Sequence, residues 1–189
     1  MSSQNIRKMV TTAILIALTV VFQLLRPVLG GSNIISTYII GSLINLSLIV
    51  AACVVGLWSG VSVAVITPII ALLQNHKQLP MIPWIIVGNL VLVVLFALWA
   101  KKDQKTLKIE WVRWMIVGVV AAVLKYAVIT LGQTLVQTSA TGNAFGVVLS
   151  ASLVSQFVQV ITALVGTVLG GLVIPALPAN AVGLNAGKA

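Results

Sequence analysis

One lysine and a group of amides and aromatic residues interrupt the apolar stretches of this 189-residue chain. Lys125 is the clearest case, because it follows Arg113 by twelve residues in a run of mostly Val, Ile, Ala and Gly. A buried ammonium is costly unless it is paired, so Lys125 indicates the binding of an anionic group. The other candidate substrate-binding residues are Tyr38, Asn45, His76, Trp84, Asn89, Gln133, Gln156 and Gln159.

Each candidate also has a purely structural interpretation. Amides in apolar helices often do no more than hydrogen-bond neighbouring helices. Tyr38 and Trp84 are equally explained as aromatic residues of a membrane interface, and His76 as part of a solvated turn. Arg26 is explained by snorkelling. For Lys125 the rival interpretation is bonding to helix carbonyl groups or to water.

The sequence lacks the residues that catalysis or a metal site requires. It has one histidine, His76, one cysteine, Cys53, and two acids, Asp103 and Glu110. A serine enzyme needs a base beside its nucleophile, and the chain has no Gly-x-Ser-x-Gly motif. A metal or aspartyl site needs several acids or histidines. We therefore expect no enzyme, no catalytic residue and no metal.

Composition places most of the chain in lipid. Hydrophobic residues make up 60%, charged residues 7%, and the mean hydropathy is +1.17. A soluble domain of this size cannot bury so much apolar surface. The net charge of +9 does not indicate nucleic-acid binding, because the cations punctuate apolar runs and do not cluster on a soluble fold.

Apolar runs predict an all-α integral membrane protein with six transmembrane helices in a single domain, 1–189. A helix that crosses the hydrocarbon layer needs about 20 residues. The predicted spans are 9–29, 36–57, 60–73, 80–100, 111–136 and 146–174. The third is short and contains Pro68, which favours a kinked or partly re-entrant helix.

The cations predict the orientation. With six spans, 8 of the 11 lysines and arginines fall on one side, which the positive-inside rule makes the cytoplasm. These eight are Arg7, Lys8, Lys101, Lys102, Lys105, Lys108, Arg113 and Lys188. Both termini are therefore predicted to be cytoplasmic. The candidate polar residues then all lie in the outer half of the bundle or in an external loop, above an apolar floor, and this distribution predicts a pocket open to the outside.

Ala13 and Ala17 provide a second indication of function. They lie four residues apart on an apolar helix and form a stripe on which another helix can pack closely. Together with the six spans, the cytoplasmic termini and the polar outer cavity, this stripe resembles the substrate-binding S component of energy-coupling factor (ECF) vitamin transporters. The resemblance implies that Ala13 and Ala17 contact the transmembrane coupling subunit.

The resemblance also implies a mechanism. An S component of a bacterial plasma membrane binds a micronutrient from outside and joins a module of one coupling (T) subunit and two cytoplasmic ATPases. No phosphate-binding Gly-x-x-x-x-Gly-Lys-Ser/Thr loop is present, so ATP hydrolysis falls to the partners and no cofactor is expected. The family uses its first, third and fifth connections as lids, which here are 30–36, 74–79 and 137–145.

The charged residues of the outer half limit the class of substrate that we expect. The outer half holds Arg26, Lys77 and Lys125 but no acid, whereas a cationic vitamin such as thiamine requires a carboxylate or an aromatic cage. An anionic, pantothenate-like vitamin is favoured. A neutral hydroxymethylpyrimidine- or pyridoxine-like molecule stacked on Trp84 or Tyr38 is the second choice. The alternative function is a structural or assembly subunit of another membrane complex, and an intramembrane enzyme is disfavoured.

Overall fold

The computed structural model describes residues 3–31, 33–73, 79–102 and 109–177, and each regular element in these ranges is helical. The α-helices are α1 (Ser3–Val28), α2 (Ile34–Val50), α3 (Leu57–Leu73), α4 (Ile82–Lys102), α5 (Trp111–Thr141), α6 (Phe145–Gln156) and α7 (Val158–Ala176). A π-helical turn, Ala51–Val55, extends α2, and a 3-10 turn, Leu79–Met81, precedes α4. The all-α prediction is confirmed.

Within the described residues, five helical segments are long and apolar enough to cross a membrane. They are Ser3–Val28, Ile34–Val55, Leu79–Ala100, Trp111–Thr141 and Phe145–Ala176. The 17-residue α3 is shorter, at about 25 Å against about 30 Å of hydrocarbon. These six segments overlap the six predicted spans. α3 continues through Pro68 as one helix and does not turn back as a re-entrant loop.

The predicted sixth span is two helices that meet at Phe157. The Tyr126 hydroxyl donates a hydrogen bond to the Leu153 carbonyl at 2.8 Å, and the Tyr126 ring packs edge-on against Phe157 with centroids 6.3 Å apart. The sequence around Phe157 has neither glycine nor proline, so no helix-breaking residue signalled the break. As a result, α6 is a separate 12-residue helix that packs mainly on α5.

The fifth connection, expected over 137–145, is shorter than predicted, because α5 continues to Thr141. The hydroxyls of Ser139 and Thr141 donate to backbone carbonyls one turn earlier, at 2.9 and 2.8 Å. Gly142 then ends the helix in a left-handed conformation (φ 69°), which a glycine adopts without strain. The connection is reduced to residues 142–144.

α5 is the central helix, and it contacts α4, α6 and α7. α2 packs along α7, while α1 rests on α2 and α3 at the side of the bundle. Near the start of α5, Trp114 is fully buried and packs edge-on against Phe96 and Trp99, each with centroids 4.8 Å apart. Its indole N–H donates to the Thr167 carbonyl at 2.8 Å. This aromatic cluster closes one end of the bundle.

Candidate functional site

Lys125 lies in the interior of the bundle, on α5, about fourteen residues beyond the start of the helix. Its side chain is only 3% exposed. The ammonium Nζ donates a hydrogen bond to Asn45 Oδ1 on α2 at 2.5 Å. On the α4 side Gly88 leaves room for the lysine stem, since a Cβ there would lie 3.4 Å from Lys125 Cγ. Lys125 therefore contacts two helices besides its own.

Asn45 connects Lys125 to α7. Its amide Nδ2 donates to Thr162 Oγ1 at 3.2 Å, and the Thr162 hydroxyl donates to the Gln159 carbonyl at 3.3 Å. Asn45 and Thr162 are each 2% exposed. The helices approach closely here, because a Cβ on Gly166 would lie 2.7 Å from Asn45 Cβ. We call Lys125, Asn45 and Thr162 the polar relay.

Gln133 and Gln156 form a second cluster between α5 and α6. Gln156 Nε2 donates to Gln133 Oε1, and Gln133 Nε2 donates to Ser155 Oγ at 3.2 Å. Both glutamines are half-buried. Both glutamines therefore hold α6 against α5, which is the helix-to-helix hydrogen bonding that amides in apolar helices often provide.

The remaining candidates on α2 and α4 are Tyr38, Trp84 and Asn89, and they differ in burial. Asn89 is buried beside Gly88, whereas Tyr38 is half-buried two turns before Asn45 on α2. Trp84 packs against the α5 backbone, since a Cβ on Gly132 would lie 2.2 Å from Trp84 Cγ. One side of this indole is therefore already covered by protein.

Two of the predicted residues in the loop after α3, His76 and Lys77, lie outside the described residues. Gln23 and Arg26 lie at the other predicted outer position, the end of α1. Gln23 is buried and donates to the Thr67 carbonyl of α3 at 3.0 Å, while Arg26 is half-buried. Gln23 thus fastens α1 to α3.

The main cluster of buried apolar side chains lies toward one end of the bundle. The large buried apolar side chains cluster toward the start of α5, and they include Leu48, Ile49, Leu92, Val93, Phe96 and Trp114. The relay and the glutamine pair lie further along α5. Ile40 and Ile129 are also fully buried at this further end, so the described interior is not strictly divided into a polar and an apolar half.

The sequence pattern did not indicate Thr162 as a site residue. A single threonine in an apolar helix usually donates to its own backbone, so its type carries no signal. A weak signal exists in its position, three residues after Gln159 and four before Gly166. Residues at these spacings share a helix face, which here is the face that α2 covers.

The geometry of the relay suits an anionic ligand. A protonated lysine has three N–H donors, and among the described residues Asn45 Oδ1 is the acceptor that bonds to Lys125. Two donors remain for a ligand group with several acceptor oxygens. The described ranges contain one carboxyl side chain, Glu110, which pairs with Arg113 at 3.0 Å on the protein surface.

Comparison with known proteins assigns the family. The model of the ECF transporter substrate-specific component matches residues 7–181, nearly the whole chain. The chain belongs to this family. No curated protein and no solved structure gives a significant match. The family is a substrate-binding component of transporters and not an enzyme family, so the chain is a multi-pass membrane S component, as its sequence predicted.

At the side of the bundle in this S component, Ala13 and Ala17 lie on the exposed face of α1. Large apolar side chains flank them, and Met9 and Ile14 are 60% and 61% exposed. α1 is the least buried of the long apolar segments within the described residues. The stripe is therefore free to contact lipid or another membrane helix.

Proposed function

We propose that this S component captures a water-soluble vitamin or vitamin precursor with an anionic group, and that Lys125 is the counter-ion of that group. The observation that carries this proposal is the state of Lys125, which is buried and bonded to a neutral amide. Among the described residues Glu110 has the one carboxyl side chain, and it lies about 20 Å from Lys125 along the axis of α5. An incoming anion would provide the missing charge.

A pantothenate-like molecule fits these groups best. Its carboxylate can accept the two remaining Lys125 donors, while its amide and hydroxyl groups match buried amides such as Asn89. The second choice, a pyridoxine- or hydroxymethylpyrimidine-like molecule, depends on stacking against Trp84 or Tyr38. Gly132 already covers one side of Trp84, so stacking there is confined to the opposite side.

We place the site on the outer side of a bacterial plasma membrane, with both termini in the cytoplasm. The distribution of lysines and arginines supports this orientation. Uptake would then require a transmembrane coupling subunit and two cytoplasmic ATPases, since the sequence has no phosphate-binding loop. The exposure of Ala13 and Ala17 supports α1 as the helix that meets the coupling subunit.

Calorimetric titration of the purified protein with pantothenate, pyridoxine and thiamine tests this proposal. We expect tight binding of pantothenate and no binding of thiamine. Tight binding of thiamine alone would contradict the anionic site. Binding of pyridoxine alone would favour the neutral class, and failure to bind any vitamin of a broader panel would favour a structural subunit.

A further inference from the structure

In the polar relay it is fixed which group donates and which accepts each hydrogen bond. The assignment begins on α7. The Gln159 carbonyl is an acceptor only, so the Thr162 hydroxyl must donate to it, as it does at 3.3 Å. The single hydroxyl proton of Thr162 is thereby used. Its oxygen can then only accept a bond from Asn45.

This direction decides which end of the Asn45 amide faces Lys125. The NH2 group of Asn45 donates to Thr162 Oγ1 at 3.2 Å, which leaves Oδ1 directed at the ammonium, 2.5 Å away. The opposite orientation would place an NH2 group against a lysine ammonium, donor against donor. Asn45 has little room to turn aside, because Gly166 allows α7 to lie directly against its Cβ.

We infer that Thr162 is a positioning residue for the substrate site, one that fixes the Asn45 amide so that Lys125 is held with two donors free for an anion. Thr162 acts through Asn45 and does not itself contact the cargo. The inference rests on the proposed function for the nature of the cargo. The orientation of Asn45 itself depends on the relay and on the Gln159 carbonyl, and not on the cargo.

Thr162→Val tests this role, because valine keeps the shape of threonine and loses the hydroxyl. Pantothenate and panthenol, in which an alcohol replaces the carboxylate, serve as probes. We expect Thr162→Val to weaken pantothenate binding about three- to tenfold and to leave panthenol binding unchanged. Thr162→Ser, which keeps the hydroxyl, should restore the pantothenate affinity of the parent protein.

Thr167→Val is the matched control. Thr167 lies on the same helix, is fully buried, and donates to the Ala163 carbonyl at 2.8 Å without a bond to Asn45. It should not alter the ratio of the two affinities. An equal loss for both probes in Thr162→Val would mean a general packing role and would overturn the inference, as would a failure of Thr162→Ser to restore binding.

A measurement without ligand separates this inference from the proposed function. If Thr162 orients Asn45 toward Lys125, Thr162→Val should lower the melting temperature of the ligand-free protein by about 2–4 °C, and by a smaller amount in a Lys125→Met background, where only the bond from Asn45 to Thr162 is lost. Equal losses in both backgrounds would disprove the positioning role. If the parent protein binds neither probe while this coupling is present, the cargo assignment fails and the relay stands.

Discussion

Lys125 Nζ and Asn45 Oδ1 lie 2.5 Å apart and join α5 to α2 across 80 positions of the chain. Both side chains are almost completely buried. When the lysine is protonated, the pair consists of one charged group and one neutral group. A neutral partner satisfies a donor without cancelling the charge. The interior of the bundle thus contains an ammonium group whose charge a bound anion can still neutralise.

Removal of Asn45 alone should destabilise the protein, because Lys125 would lose its acceptor. We expect Asn45→Leu to cost about 1–3 kcal/mol, seen as a melting temperature several degrees lower. Asn45→Leu combined with Lys125→Met should recover most of this loss, since neither polar group then remains. Thermal unfolding in detergent measures both. A double variant no more stable than Asn45→Leu would show that the bond contributes little.

The close contact between α2 and α7 should be required for the relay. A Cβ on Gly166 would lie 2.7 Å from Asn45 Cβ and 3.0 Å from the Leu46 backbone nitrogen, so Gly166→Ala must separate the helices. We expect a cost of about 1–3 kcal/mol and weaker pantothenate binding. Gly146→Ala is the control, since that Cβ meets open space. Equal effects of the two substitutions would refute this account of the contact.

The aromatic cluster at the start of α5 should support the fold without affecting affinity. Trp114→Phe removes the bond from the indole to the Thr167 carbonyl and leaves an apolar ring. We expect the melting temperature to fall by a few degrees and pantothenate affinity to stay within about twofold of the parent value. A large loss of affinity at unchanged stability would place Trp114 in the binding site.

The small-residue stripe of α1 should matter for transport and not for binding. Ala13→Leu and Ala17→Leu enlarge exposed positions, so the isolated protein should fold and bind as before. We expect loss of vitamin uptake and of co-purification with a coupling subunit. Ala127→Leu, on an exposed position of α5, is the control. Loss of ligand binding in the α1 variants would instead assign the stripe to fold integrity.

The sequence predicted most of the elements because hydropathy decides where a chain crosses lipid. It also selected Lys125 and Asn45 separately, since a polar residue in an apolar helix is conspicuous. It could not pair them, because the pairing depends on how α2, α5 and α7 are rotated and shifted relative to one another. Thr162 was missed because a threonine in an apolar helix is not conspicuous by its type.

Two departures from prediction differ in origin, one local and one tertiary. The lid expected at 137–145 is helical up to Thr141 because hydroxyl side chains can bond to their own helix and do not necessarily end it. The break at Phe157 lies beside a tertiary contact, the bond from Tyr126 to Leu153, and the sequence near the break does not indicate this contact. Local composition therefore gave the correct span and the wrong internal structure.

The most direct test of the account is the ratio of pantothenate to panthenol affinity in the parent protein and in Lys125→Met, measured by calorimetry. We expect the parent to prefer pantothenate by at least about tenfold, and Lys125→Met to lose this preference while it still binds panthenol. Lys8→Met, which removes an exposed charge, should keep the preference. An undiminished preference in Lys125→Met would contradict the central role of Lys125.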